Sequence, residues 1–276
     1  MQTLAQLLAD ADLPDSPTAA LDAELILAHV LRKPRSFLHT WPEYVLDPQR
    51  LELFQGLIER RRAGEPVAYL LGAQGFWSLD LQVSDATLIP RPDTERLVEL
   101  ALELGPLGRA RVLDMGTGTG AVALALASER RYWSIMATDL VPAAVELAEV
   151  NRKRLGLENV QLKTSDWFAA LEHESFDLVV SNPPYISADD PHLRCGDVRY
   201  EPATALVSGA DGLDAIRHIV SQAPDYLHTD GWLLLEHGWQ QADAVVALLV
   251  DRGFQLTRSW QDLGGQYRIS GGQWRG

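Results

Sequence analysis

One cysteine, Cys195, among 276 residues excludes an internal disulfide and any thiolate metal cluster. It reads as a small loop residue. The seven histidines make no His-Glu-x-x-His or other close ligand pair, so no metal site is expected. No apolar run approaches the roughly 20 residues that cross a bilayer. The opening "MQTLAQLLADADLP" has acids where a transit peptide has arginines, and it lacks the basic-then-apolar order of a secretory signal. A cytoplasmic protein with no membrane association is expected. Basic residues are also scarce: 24 Lys and Arg face 38 Asp and Glu, for a net charge of -14. Nucleic-acid affinity draws heavily on phosphate neutralisation, so this balance argues against a naked duplex as the main partner. The short runs Arg60 to Arg62 and Arg152 to Arg154 read as solvated helix faces.

What remains is a chain of ordinary globular composition, 46% hydrophobic and 22% charged, long enough for one sizeable domain and a smaller one. Leucines and alanines recur at helical spacing up to about Gly64, broken at Pro14, Pro17, Pro34, Pro42 and Pro48. That pattern predicts a small bundle of short helices over residues 1–73. "QGFWSLDLQVSDATLIPRP", residues 74–92, alternates like a β-hairpin-like linker. From 93 to 276 strand and helix patterns take turns, beginning with "ARVLDMG" and "AVALALASER". They continue through "WSIMATDL", "PAAVELAEVNRKRLG", "NVQLKTSD", "FDLVVSN", "DGLDAIRHIVSQAPDYL", "GWLLLEHG" and "QQADAVVALLVDRG". Repeated β-α alternation implies a mostly parallel sheet with helices on both faces. The closing strands "FQLTRSW" and "GQYRISGG" have no helix between them and must pair antiparallel.

The glycine loop "LDMGTGTGA" follows a strand and opens a helix, the context in which such loops approach a ligand with their backbone. Gly116, Gly118 and Ala121 satisfy the dinucleotide pattern G-x-G-x-x-A. Gly116, Gly118 and Gly120, with Thr117 and Thr119 between them, satisfy the G-x-G-x-G form typical of S-adenosylmethionine binding. Asp139, about 20 residues on, sits where an acid takes ribose hydroxyls with either cofactor. Asp114 beside the loop suits a cationic amine and would repel a pyrophosphate; its plainer role is to cap the glycine turn. Asp166 and Trp167 end the third strand of the alternating region, where an acid suits the exocyclic amine of adenine and an indole its face. A core anchor is the plainer role for Trp167.

"VVSNPPYI" drives an apolar strand into two prolines. The residue before a proline is held extended, and neither Pro183 nor Pro184 carries an N–H. Rigid carbonyls and the Asn182 side-chain oxygen then make a fork of acceptors for a planar NH2 group, with Tyr185 able to stack on its plane. Methyl transfer to an amide or exocyclic amine nitrogen needs this, because such nitrogens are weak nucleophiles that gain electron density when both protons are hydrogen-bonded.

The set "LDMGTGTGAVALALA", "SNPPYI", "IPRPDTE", "YEPATALVSGADGL" and "LLLEHG" resembles the HemK/PrmC family of protein-(glutamine-N5) methyltransferases, and "LDAELILAHVL" extends the likeness into the helical part. The resemblance implies a Rossmann-like class I methyltransferase domain behind a small all-helical domain, which on its architecture is expected to recognise the substrate. It implies S-adenosylmethionine as methyl donor, leaving as S-adenosylhomocysteine, and class I peptide chain release factors as partners, methylated on the glutamine of their Gly-Gly-Gln loop. Gly116 to Gly120 would hold the methionyl part, Asp139 the ribose, and Trp167 would lie by the adenine. Asn182, Pro183, Pro184 and Tyr185 would grip the glutamine amide, with Asn182 also bordering the cofactor. Pro90, Arg91 and Pro92 would lie near the cofactor and Glu95 would shape its pocket. The loop from Ser187 to Gly212, with Arg199, Glu201 and Pro202, is a candidate lid.

Other readings stay open on the residues alone. An amino-methyltransferase acting on adenine or guanine in DNA or RNA would use the same Asn-Pro-Pro-Tyr tip. A nicotinamide-dependent oxidoreductase would use the glycine loop but leave that tip unexplained, and a non-catalytic interaction module would use neither for chemistry. The chain itself carries Gly-Gly-Gln at Gly264 to Gln266 and Gly271 to Gln273. Three-residue matches are common by chance, and self-methylation is not expected.

Overall fold

A computed structural model describes residues 2–276 and divides into two compact units. The first comprises the chain up to Ala73 together with Pro191–Tyr200, and the second Gln74–Asp190 with Glu201–Gly276.

The first unit is helical: α1 (Leu4–Ala9), α2 (Ala19–Leu31), α3 (Arg35–Thr40), α4 (Pro48–Arg62) and α5 (Val67–Leu71). Local chemistry sets these boundaries. Thr3 and Gln6 form a reciprocal capping box on α1, satisfying backbone donors that the first turn leaves open. Asp47 caps α4 by accepting from the Arg50 N–H, and Pro48 occupies the first turn, where no amide donor is needed. Arg60, Arg61 and Arg62 close the same helix at its negative end. Leu4, Ile26, Leu27, Leu38 and Phe54 fill the common core. Arg61 is buried there between the carboxylates of Asp22, at 2.7 Å, and Asp197, at 2.8 Å. Asp197 lies in the Pro191–Tyr200 segment, which also donates from Arg199 and Tyr200 to the Ala63 carbonyl. Ten residues from the middle of the chain thus complete a unit otherwise built from its beginning.

The second unit opens within the two-stranded pair β1 (Ala73–Phe76) and β2 (Leu79–Gln82), whose first residue closes the helical unit. A 3-10 turn at Pro92–Thr94 leads into α6 (Glu95–Leu104), an amphipathic helix absent from the sequence reading although Leu97, Val98, Leu100 and Ala101 bury one side of it. Then follow β3 (Ala110–Met115), α7 (Ala121–Glu129), β4 (Trp133–Asp139), α8 (Pro142–Leu155), β5 (Val160–Thr164) and β6 (Phe176–Ser181). The chain finishes with α9 (Asp214–Gln222), β7 (Leu227–Glu236), α10 (Ala242–Arg252), β8 (Gln255–Gln261) and β9 (Tyr267–Gln273). The seven-stranded sheet runs β5-β4-β3-β6-β7-β9-β8. Strands β3 to β7 are parallel, and β9 inserts antiparallel to β7 and, as the helix-free connection requires, to β8.

Side chains alternate across this sheet with period two, so its central strands are apolar on both faces. Val112, Leu178, Val180 and Leu234 enter one core layer with α6 and α7, while Leu113, Val179, Leu233 and Leu235 enter the other with α9 and α10. Each such fully buried side chain contributes about 1.5 to 3 kcal/mol, which holds the strand tips in register. The second Gly-Gly-Gln lies inside this sheet: Gly271 pairs with Leu234 and Arg258, and a Cβ there would come within 2.6 Å of the Leu233 carbonyl. These glycines serve close backbone packing.

Candidate active site

From β3 the chain winds outward to β4 and β5, then returns to β6 on the other side of β3 and continues to β7. The carboxyl ends of β3 and β6 are therefore the point where strand order reverses, the place where open α/β sheets leave a ligand crevice. The crevice is there. Its open space, counted out to the mouth, is about 1040 Å³, and its wall includes Pro90, Arg91, Thr94, Asp114, Gly116 to Thr119, Asp139, Trp167, Asn182 and Pro184.

The glycine loop begins at the tip of β3. Gly116, Gly118 and Gly120 all have positive φ, and at Gly120, with φ 87°, a Cβ would also strike Leu124 at 2.8 Å. Only glycine turns the chain from strand to helix here. Asp114 and Asp139 secure the turn. Asp114 Oδ2 accepts from the Thr117 hydroxyl at 2.6 Å and from the Ala123 N–H at 3.1 Å, so it caps the loop and α7 while also lining the crevice. Asp139 accepts the Gly118 N–H on Oδ2 and the Val141 N–H on Oδ1, each at 2.9 Å.

Burial raises the pKa of both acids. Desolvation pushes Asp114 up to about 6 against the opposing hydrogen bonds from Thr117 and Ala123, with the Asp139 charge adding to the rise. Asp139 is raised by desolvation and held back by its backbone donors. The cationic side chain in the crevice wall, Arg91, is paired with buried Glu201. The crevice is thus apolar with an acidic excess. A ligand carrying positive charge would relieve the two carboxylates, whereas a pyrophosphate would meet them unscreened.

The tip of β6 stands beside the loop. The Ser181 hydroxyl donates to the Met115 carbonyl at 2.7 Å, and the backbone oxygen of Asn182 lies 3.9 Å from where a Cβ on Gly116 would stand. Asn182 and Pro184 line the crevice, and Pro183 is buried behind them. Tyr185 is not part of the wall. Its ring packs on the second core layer and its hydroxyl reaches Glu236 Oε1 at 3.3 Å. Trp167 lines the crevice with φ 48°, an unusual conformation for a bulky residue, held by the Ser165 hydroxyl donating to its carbonyl at 2.8 Å.

Other expected positions fall outside. Asp166 is exposed and does not line the crevice. Glu95 accepts the Trp77 N–H at 2.7 Å, so it anchors the β1-β2 turn. In the long loop, Arg199 belongs to the helical unit, while Glu201 pairs with Arg91, and Thr204 and Ala205 reach the crevice. Among the described residues no cluster of His, Cys, Asp and Glu could hold a metal.

The sequence reading missed Thr94 and Glu236. Asn182 Nδ2 donates to Thr94 Oγ1 at 3.2 Å, and Thr94 faces the buried carboxyl of Glu236 at the end of β7. Thr94 sits within the quoted "IPRPDTE" and Glu236 within "LLLEHG", but nothing local in either segment marks them as neighbours.

This strand order, with its crevice at the reversal point, defines an α/β methyltransferase domain. The methyltransferase small domain family matches residues 96–197, and the PrmC N-terminal domain family matches residues 1–72. Among solved structures, a methyltransferase from Pyrococcus furiosus is similar at a TM-score of 0.55, with 19% identity, 80% of this chain and 98% of that one covered. A T. thermophilus 16S rRNA methyltransferase in complex with AdoMet and guanosine gives 0.51, with 21% identity over 74% of this chain and 50% of its own. At those identities the likeness concerns the fold. A release factor glutamine methyltransferase from Pseudomonas aeruginosa is 60% identical, covering 99% of both chains. The protein of that name from Vibrio cholerae is 53% identical over 95% of this chain and 91% of its own. The chain belongs to the release factor glutamine methyltransferase family.

Proposed function

We propose that this chain transfers a methyl group from S-adenosylmethionine to the side-chain amide nitrogen, N5, of the glutamine in the Gly-Gly-Gln motif of class I peptide chain release factors. The relatives' names support the substrate. The observation that carries the reaction is the meeting of Asn182 and Pro184 with the acid-lined glycine loop in one crevice.

When bound, the cofactor supplies an electrophilic methyl on a sulfonium. Asp114 and the loop from Gly116 to Gly120 would hold the methionyl end, Asp139 the ribose and Trp167 the adenine. Asn182, Pro183 and Pro184 would take the two N–H bonds of the glutamine amide as acceptors, with Tyr185 supporting them from behind. Accepting both protons loads electron density onto a nitrogen otherwise delocalised into its carbonyl, and fixing it in line supplies proximity. Transfer would exchange the carbon-sulfur bond for a carbon-nitrogen bond, and one amide proton would pass to water. S-adenosylhomocysteine is the co-product.

No helix among the described residues is long and apolar enough to cross a membrane. We place the reaction in the cytoplasm, where release factors act, without direct nucleic-acid binding. The first unit would recognise the body of the release factor, since a three-residue loop offers little contact. Exposed Trp41 and Tyr44 on that unit are suited to it. Replacing both with alanine should raise KM for the full release factor and leave it unchanged for a short Gly-Gly-Gln peptide.

The test of the reaction is labelled methyl transfer to an unmethylated release factor, beside its Gly-Gly-Ala variant, DNA and tRNA. Label on the unaltered factor alone is expected. Label on nucleic acid would overturn the substrate while keeping the fold.

A further inference from the structure

We propose that Thr94 and Glu236 are positioning residues that determine which end of the Asn182 amide faces the crevice. The inference rests on the methyl-transfer reading above. An asparagine amide is nearly symmetric in shape, yet its two ends have opposite polarity: turned one way it presents an acceptor, turned the other two donors. Only the acceptor end can hold a substrate NH2 group. Something must select it.

The selection is visible in a chain of three groups. Asn182 Nδ2 donates to Thr94 Oγ1 at 3.2 Å. A hydroxyl has a single proton, so Thr94 accepts from Asn182 without competition when that proton is directed elsewhere. Glu236 provides the direction. Its carboxyl is buried, takes the Tyr185 hydroxyl on Oε1 at 3.3 Å, faces the Thr94 hydroxyl, and has no hydrogen-bond partner on Oε2 within the usual range. The Thr94 contact is therefore looser than an ordinary hydrogen bond, yet the carboxyl is an acceptor that this hydroxyl faces. An ionised carboxylate only accepts, so the Thr94 proton turns to Glu236, the Thr94 lone pair turns to Asn182 N–H, and Asn182 Oδ1 is left toward the crevice. Tyr185, donating to the same carboxylate, fixes the far side of the tip.

Protonating Glu236 reverses the chain. Its O–H can donate to Thr94, the Thr94 proton can turn to Asn182, and the amide then presents N–H groups to the crevice, where they repel a substrate N–H. Four groups set the balance around this carboxyl. Thr94 and Tyr185 favour its charge as donors, Arg268 on β9 favours it as a cation, and Asp93 on the Pro92–Thr94 turn opposes it. Burial outweighs them and lifts the group to about 7.

The experiment uses the full-length enzyme with S-adenosylmethionine and an unmethylated release factor, so that absence of transfer by the unaltered enzyme would count against the reaction itself. With transfer established, Thr94→Val and Glu236→Gln should each lower kcat about 10- to 100-fold while the Kd for S-adenosylhomocysteine stays within about twofold. Thr94→Ser, which keeps the hydroxyl, should restore most of kcat. In an Asn182→Ala background, Thr94→Val should cost nothing further, because Thr94 acts through Asn182. The unaltered enzyme should lose kcat as pH falls through about 7, and Glu236→Gln should flatten that profile. Circular dichroism separates misfolding from loss of positioning, and should Glu236→Gln fail to fold, the Thr94 series decides alone. Full activity of Thr94→Val, or an equal further loss in the Asn182→Ala background, overturns the proposal.

Discussion

Ser181 donates its hydroxyl to the Met115 carbonyl at 2.7 Å, joining the tips of β6 and β3 where the acceptor loop and the glycine loop both begin. Both residues are fully buried. Removing the hydroxyl with Ser181→Ala should cost about 1 kcal/mol of stability and let the two tips separate. Because alignment depends on their spacing, kcat should fall more than KM rises. Equal stability and kcat for the variant would show that the strand ladder alone fixes the spacing.

Asp114 both caps its own loop and supplies negative charge to the crevice. Asp114→Asn keeps an oxygen for Thr117 and Ala123 but removes the charge. Titration calorimetry should find S-adenosylmethionine bound about 10- to 100-fold more weakly, the range for losing a hydrogen bond to a charged partner. Unchanged affinity would reduce Asp114 to its capping role.

The buried carboxyl of Glu236 makes stability depend on pH. Folded Glu236 holds its proton more tightly than unfolded Glu236, so its contribution is fully present below about 4.5, the ordinary value, and is lost as pH rises through about 7. Displacement of this size costs the folded state roughly 3 kcal/mol once the group is ionised. Asp114, lifted by burial to about 6, adds in the same sense. Thermal unfolding should therefore show Glu236→Gln gaining on the unaltered protein as pH goes from 5 to about 8. A constant difference across that range would contradict the assignment.

Arg61 holds two carboxylates inside the helical unit, one of them from the Pro191–Tyr200 segment. Arg61→Met leaves Asp22 buried with only the hydroxyls of Ser16 and Thr18. Losing one partner of a buried pair typically costs about 3 to 5 kcal/mol. Denaturant unfolding should show a loss of that order, and proteolysis should open the chain first near Pro191. A change under about 0.5 kcal/mol would mean the triad gains no more than it loses in desolvation.

Much of the candidate site was legible because its residues are grouped locally in sequence. The glycines from Gly116, Asp139 one strand later, and Asn182 followed by two prolines each follow from backbone rules that act over a few residues. The parallel sense of β3 to β7 followed from β-α alternation, and the antiparallel pairing of β8 with β9 from the missing helix between them. Contacts made only by folding were not legible. Thr94 and Glu236 lie 142 positions apart, and their meeting at Asn182 depends on β7 packing beside β6. The start of β7 at Leu227 was masked because "QAPDYL" continues a helical pattern that Pro224 ends. The assignment of Pro191–Tyr200 to the helical unit had no signal, since two short 3-10 turns near a proline look like any surface loop. Asp166 shows the opposite case: an acid at the right strand end that points to solvent.

The central claim is that the Asn182 tip serves the transferred methyl's acceptor and not the cofactor's grip. Single-turnover methyl transfer by Asn182→Ala, measured beside its affinity for S-adenosylhomocysteine, tests it most directly. The expected result is affinity within about threefold of the unaltered enzyme and transfer slowed by about 100-fold or more. Transfer at the unaltered rate, or a loss explained entirely by weaker cofactor binding, would contradict the account.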